Sequence, residues 1–143
     1  MFGDTLRAIR KIEGLTLRVG WTDPEVARIV AINQQGSADG RRPPARPVLQ
    51  PVLDERIGEI LDHAQVLVAT AVVSTDPVAS AWRGLDTLGS HIEDMIRDRI
   101  VTMTPSNAPS TIARKGIDAP LRGGTREGAQ DRIWDGITHE VVG

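Results

Sequence analysis

Three histidines, at 63, 91 and 139, are the side chains of this sequence best suited to move a proton or hold a metal. Each stands alone. None has a second His four residues away and none lies in a His-Glu-x-x-His pattern, so the spacing offers no zinc site. The serines at 37, 74, 80, 90, 106 and 110 lie in no Gly-x-Ser-x-Gly elbow. Ser90 precedes His91, but neighbouring helical residues point about 100° apart, which keeps a hydroxyl from the imidazole that would activate it. The carboxylates Asp54, Glu55, Glu93, Asp94 and Asp98 have the spacing of solvated helix faces rather than of a facing acid–base pair. A hydrolase would require His91 or His139 to meet a carboxylate in a pocket. The run from Gly116 to Thr125 lacks the Gly-Lys-Ser/Thr ending of a phosphate-binding loop and follows no predicted strand. The expectation is a protein without enzymatic chemistry, cofactor or metal.

Two arginine clusters remain, Arg41-Arg42 with Arg46, and Arg114-Lys115 with Arg122 and Arg126. With no Tyr, one Phe and a formal net charge of -2, the chain has almost nothing to stack on bases and no long-range pull on nucleic acid. Contact with backbone phosphates is the one nucleic-acid mode left, and it defines an alternative reading: a cytoplasmic nucleic-acid-binding or regulatory module working through its Arg-rich loops. Arg outnumbers Lys 15 to 2. Guanidinium groups pair with carboxylates in a two-pronged geometry, so these clusters suit contacts across a protein interface or anchoring within a loop.

A length of 143 residues fits one domain, read here as spanning 1–143, and 40% hydrophobic against 25% charged residues is enough to build a core. That core must be aliphatic, because aromatic residues make up only 3% of the chain. The absence of Cys excludes disulfides and thiolate chemistry. Met1 to Lys11 carries a charge every few residues instead of an apolar targeting run, and no stretch approaches the ~18 apolar residues of a membrane span. A soluble chain made in the cytoplasm is expected.

The elements follow from periodicity. Leu6, Ile9 and Ile12 recur every three residues between Gly3 and Gly14, with Asp4 placed to cap, which predicts a short amphipathic helix. Leu15 to Trp21 alternates, with Leu15, Leu17, Val19 and Trp21 on one face and Thr16 and Arg18 on the other, which predicts a half-buried strand. Thr22-Asp23-Pro24-Glu25 opens a helix that carries Val26, Ile29 and Val30 and closes at Gly36. Pro43, Pro44, Pro47 and Pro51 make 36–51 an extended connector. Two long helices are expected at about 53–74 and 78–103, separated by Asp76-Pro77. A long Gly/Pro-rich loop covers 104–128, a helical turn is permitted before Trp134, and a closing strand runs from 136 to 142. Strands near 15–21 and 136–142 can pair with no strand between them, which gives an α+β fold: a small antiparallel sheet packed with two long helices.

Val19-Gly20-Trp21, Ala31-Ile32-Asn33 to Gly36, Pro44 to Pro51 and Asn107 to Leu121, in this order along the chain, resemble segments of the neck or tail-completion proteins of tailed bacteriophages. Val19-Gly20-Trp21 is similar to that family's opening Val-Gly-aromatic strand, and Ala31-Ile32-Asn33 to Gly36 to its Ala-x-Ile-Asn-Glu-x-Gly helix end. Pro44-Ala45-Arg46-Pro47-Val48-Leu49-Gln50-Pro51 resembles its Pro-x-Arg-Pro-Phe-Leu-x-Pro connector. Asn107 to Leu121, which includes Ala108-Pro109, Thr111, Lys115-Gly116 and Pro120-Leu121, resembles its Ala-Pro-x-Thr-x-x-x-Lys-Gly-x-x-x-Pro-Leu segment. The chain departs from the pattern at Gln34-Gln35 and Val48, and from Leu121 to Gly128. The resemblance implies a structural virion protein at the head-to-tail junction, synthesised in the host cytoplasm. It would form a six- or twelve-fold ring of identical copies beside the portal, adaptor, stopper, terminator or tail rings, touching genomic DNA at most non-specifically and no membrane. Arg46, Pro47, Arg114, Lys115, Gly116 and Arg122 are its candidate subunit-interface residues, with anchoring of the loops inside one chain as the open alternative for the charged ones.

Overall fold

The structure, a computed structural model, describes residues 2–35, 48–101 and 132–143. In chain order these form α1 (Phe2–Ile12), β1 (Thr16–Trp21), α2 (Pro24–Gln35), α3 (Leu49–Val72), α4 (Pro77–Val101), α5 (Arg132–Asp135) and β2 (Ile137–Val142). The fold is α+β: a two-stranded antiparallel sheet packs on long helices.

Two Asp-Pro dipeptides start helices in the same way. Asp23 Oδ1 accepts the Glu25 amide at 2.9 Å and lies 3.5 Å from that of Val26, and Pro24 occupies the first helical position of α2. The cap of α2 is therefore Asp23. Asp76 Oδ1 accepts the Ala79 amide at 3.1 Å, and Pro77 opens α4. Proline costs nothing there because a first-turn N–H has no helical acceptor.

The same reasoning corrects two expectations. Leu49, Gln50 and Pro51, assigned to the 36–51 connector, form the first turn of α3 instead. Pro51 sits where its missing donor is harmless, and burial of Val48 and Val52 holds the turn in place. Asp4 is not the cap of α1; it lies inside the first turn and pairs with Arg7. The rest of the connector, residues 36–47, and the 104–128 loop lie outside the described residues.

The sheet register pairs Leu17 with Val141, Val19 with His139 and Trp21 with Ile137. These pairs face α4, while Thr16 and Arg18 are exposed, as the alternation requires. Trp21 Nε1 donates to the Ile133 carbonyl at 2.7 Å, so the largest side chain of the strand packs half-buried against the core with its polar atom satisfied. Arg132 reaches back to Asp23 and Glu25 at 3.3 and 3.2 Å, tying the short α5 to the start of α2.

The core gathers at one end. Val26 and Val30 of α2, Val48 and Val52 at the start of α3, and Met95, Ile96 and Ile100 of α4 close over Ile133 and Ile137. At the other end α3 and α4 meet through small residues. Ala71 and Ala81 are fully buried, and a Cβ at Gly84 would stand 2.8 Å from the Leu67 Cβ, so the two backbones approach too closely for larger side chains between them.

Candidate functional site

The best-defined polar cluster joins β2 to α4. Strand alternation turns His139 inward, opposite Val19, and lays its ring on the face of α4 that carries Asp86, Gly89 and Glu93. Spacings of three and four residues stack these three positions along one helical face. Gly89 is required there: a Cβ would fall on the imidazole, 2.5 Å from its Cγ. Asp86 Oδ1 lies 2.7 Å from His139 Nε2, and Glu93 Oε2 lies 3.1 Å from Nδ1. The Glu93 contact is an ion pair by distance but is not aligned as a hydrogen bond, which leaves Nδ1 buried without a linear partner.

The His139 side chain is 14% exposed, as is that of Glu93, whereas Asp86 is half in solvent. The hydrogen bond to Asp86 holds the imidazole above its ordinary value of 6.5, against the opposing effect of burial, and Glu93 adds to the rise. The doubly flanked ring is a clamp between strand and helix. Each of its ring nitrogens faces a carboxylate, the meeting that a hydrolase would require of His139. His91 takes another course: it is exposed on α4 and its ring lies 4.8 Å from that of His63 on α3, tilted by 38°. Among the described residues no group of His, Asp and Glu is arranged to hold a metal ion, and no helix is long and apolar enough to cross a membrane.

An open cleft of about 320 Å³ at the sheet is lined by residues of both strands, among them Arg18, Gly20, Trp21, Thr138, His139 and Glu140. Arg18 and Glu140 pair across the strands at 3.6 Å, both well exposed. Such a pair contributes little to stability, because water screens it.

The other feature is apolar. α3 buries only Val52 and Ala71, while Leu53, Ile57, Leu61, Val66 and Val68 are between 39% and 66% exposed. Leu6 and Ile9 of α1, Val73 after α3, and Val78 and Trp82 of α4 add to that surface. A groove of about 270 Å³ between α1, α3 and α4 is lined by Ile9, Ile12, Leu15, Ala64, Leu67, Val68, Ala81 and Leu85 with a single charged neighbour, Glu13.

Of the residues singled out in the sequence, Arg46, Pro47, Arg114, Lys115, Gly116 and Arg122 all lie outside the described residues. The His139 clamp and the exposed apolar faces were missed. Asp86, Gly89 and Glu93 do share a helical face in the sequence, but nothing local says that a distant strand lays a histidine on it. The 3-4 rhythm of Leu53, Ile57, Ile60 and Leu61 predicts the long helix and does not say what its apolar face meets. Comparison with protein-family models, with curated proteins and with solved structures finds no match.

Proposed function

We propose that this chain is a structural, non-catalytic subunit of the neck of a tailed bacteriophage, closed with identical copies into a six- or twelve-fold ring at the head-to-tail junction, where it helps join or complete the tail. The sequence supports this through four segments that resemble the neck and tail-completion family in order. The observation that carries it in the structure is α3, a 24-residue helix that buries two residues and leaves a row of Leu, Ile and Val in water. Soluble monomers seldom expose apolar surface on this scale, and a helix apolar over so much of its circumference is normally covered. Repetition around a closed rotation buries such surface in every copy without any change of fold.

In this reading the sheet and the core end form the rigid body, the exposed helical faces meet neighbouring copies, and the 36–47 and 104–128 segments reach neighbouring subunits or the next ring. The test is native mass, measured by light scattering or native mass spectrometry on the chain alone and after mixing with particles that lack it. A closed six- or twelve-fold species, or incorporation at the neck, is the expected result. A strict monomer that neither assembles nor joins particles would overturn the reading. The alternative of a nucleic-acid-binding module would instead show steeply salt-dependent DNA binding through the Arg-rich segments.

A further inference from the structure

The hydrogen-bonding groups of the His139 cluster match in one protonation state and conflict in the other. Asp86 and Glu93 stand one turn to either side of Gly89 on α4, and the imidazole of His139, in the middle of β2, lies between them. Its Nε2 is 2.7 Å from Asp86 Oδ1 and its Nδ1 is 3.1 Å from Glu93 Oε2. An ionised carboxylate can only accept. A neutral imidazole has one N–H and one lone pair, so only the doubly protonated ring presents a donor to each side.

Among the described residues, the charges close to the ring in sequence and register are committed elsewhere. From β1 the residue opposite His139 is Val19, which is apolar. Arg18 and Glu140, on the other face of the strands, pair with each other at 3.6 Å. Arg97 follows Glu93 by one turn of α4, but its Nε donates to the Trp134 carbonyl at 3.3 Å and its Nη1 lies 3.5 Å from Asp94. Little else fastens this part of the sheet. Of the other side chains that β2 turns toward α4, Ile137 is buried at the start of the strand and Val141 is only half-buried near its end.

We infer that His139, Asp86 and Glu93 form a pH-operated latch, which fastens β2 to α4 while the ring carries two protons and loosens the strand from the helix when one is lost. The latch lies within one chain, so it stands or falls apart from the ring reading. The neutral ring keeps its shorter contact, Nε2–H to Asp86, and turns the lone pair of Nδ1 on Glu93. Asp86 is half in solvent, whereas Glu93 is 14% exposed, so water relieves the first carboxylate and not the second. A largely buried carboxylate that faces a lone pair has lost its donor and is repelled, and admitting water between strand and helix relieves it. A two-stranded sheet is marginal alone, so strands loosened from α4 also lose the protection of their own ladder. The direction is set by the same contacts. The Asp86 hydrogen bond, with Glu93 beside it, raises the imidazole above 6.5 against the effect of burial, so the fastened form holds below pH 6.5 and is lost as pH rises through the raised value.

The test is amide hydrogen exchange of the full chain at pH 6 and pH 9, read by mass spectrometry and corrected for the base-catalysed intrinsic rate. Protection of residues 16–21 and 137–142 is expected to fall severalfold between the two, and at pH 9 these strands are expected to exchange faster than the segment around Ile96 and Ile100, because the latch opens without the core. In His139→Gln the fall should vanish. In Glu93→Gln it should shrink, since an amide can donate to the lone pair that a carboxylate cannot, and in Asp86→Asn it should shrink further, since the stronger contact is gone. Far-UV circular dichroism at pH 6 shows that each variant is folded, and Asp86→Asn carries the test should Glu93→Gln lose its helices. Strand protection that is the same at both pH values in the wild type overturns the latch. So does a fall of equal size in the wild type and the carboxylate variants, and strands that open only together with Ile96 and Ile100 reduce it to a contribution to overall stability and overturn the local opening.

Discussion

The two ends of the α3–α4 hairpin are built from the same kinds of residue and do opposite things with them. At the end formed by the start of α3 and the close of α4, large aliphatic side chains meet α2, α5 and the sheet, and Ile96 and Ile100 are sealed from water. At the tip, Ala71, Ala81 and Gly84 fill the seam, and the large residues Val66, Val73, Val78 and Trp82 point outward. A tight seam of small residues leaves no room for a large side chain between the helices, so bulk is displaced to the surface. Apolar content therefore does not locate a core; the size of the residues along the contact does. One end holds the fold together, and the other leaves its large apolar side chains in water.

The largest expected effect is at the core end. Ile96→Ala should cost about 2–5 kcal/mol, because a sealed side chain leaves a cavity that the surrounding helices cannot refill. Val73→Ala should be nearly neutral for the isolated chain, because the side chain is 83% exposed. Denaturant titration of both variants checks the contrast, and equal losses would break the distinction between the two ends.

Next in size is Gly89→Ala, expected to cost about 1–3 kcal/mol by driving a methyl group into the imidazole. Combining it with His139→Ala should recover part of that loss, since the ring it strikes is gone. A double-mutant cycle measures the coupling, and additive effects would mean that strand and helix do not meet at this point.

The clamp also predicts a pH dependence. The folded-state value of His139 is raised above the ordinary 6.5, so its contribution is fully present below pH 6.5 and is lost as pH rises through the raised value. The stability difference between wild type and His139→Gln should therefore be larger at pH 6 than at pH 9. Unfolding curves at the two pH values decide it, and a difference that grows with pH would contradict the paired carboxylates.

The smallest effect is at the tip. Asp76→Ala removes the acceptor of the Ala79 amide and should cost about 1 kcal/mol by melting temperature, with the core end undisturbed. A larger loss would mean that the turn holds more of the fold than a helix start normally does.

Much of this architecture was legible along the chain because it depends on local chemistry. Alternation from Leu15 to Trp21 marked β1 and its inner face, and Thr22 to Glu25 marked the start of α2, because a carboxylate accepts first-turn amides and proline needs no acceptor; Asp76-Pro77 was legible only as the break between α3 and α4, and its role in starting α4 shows in the Asp76–Ala79 bond. Pro51 misled, because four prolines in one segment look extended while the last of them lies in a first turn where it does no harm. The exposed stripe of α3 was legible as a helix and no further. A 3-4 rhythm states that one face is apolar, and it does not state whether the fold or another molecule covers that face.

The sequence by itself determined the type and order of the described elements and the aliphatic character of the core, which follow from residue type and short spacing. Only the tertiary structure decided that His139 lies on Gly89 between Asp86 and Glu93, that Trp21 donates to Ile133, and that one end of a long helical hairpin is packed while the other is bare. Those contacts join residues far apart along the chain, and periodicity fixes the face on which a residue lies without fixing which face will meet it.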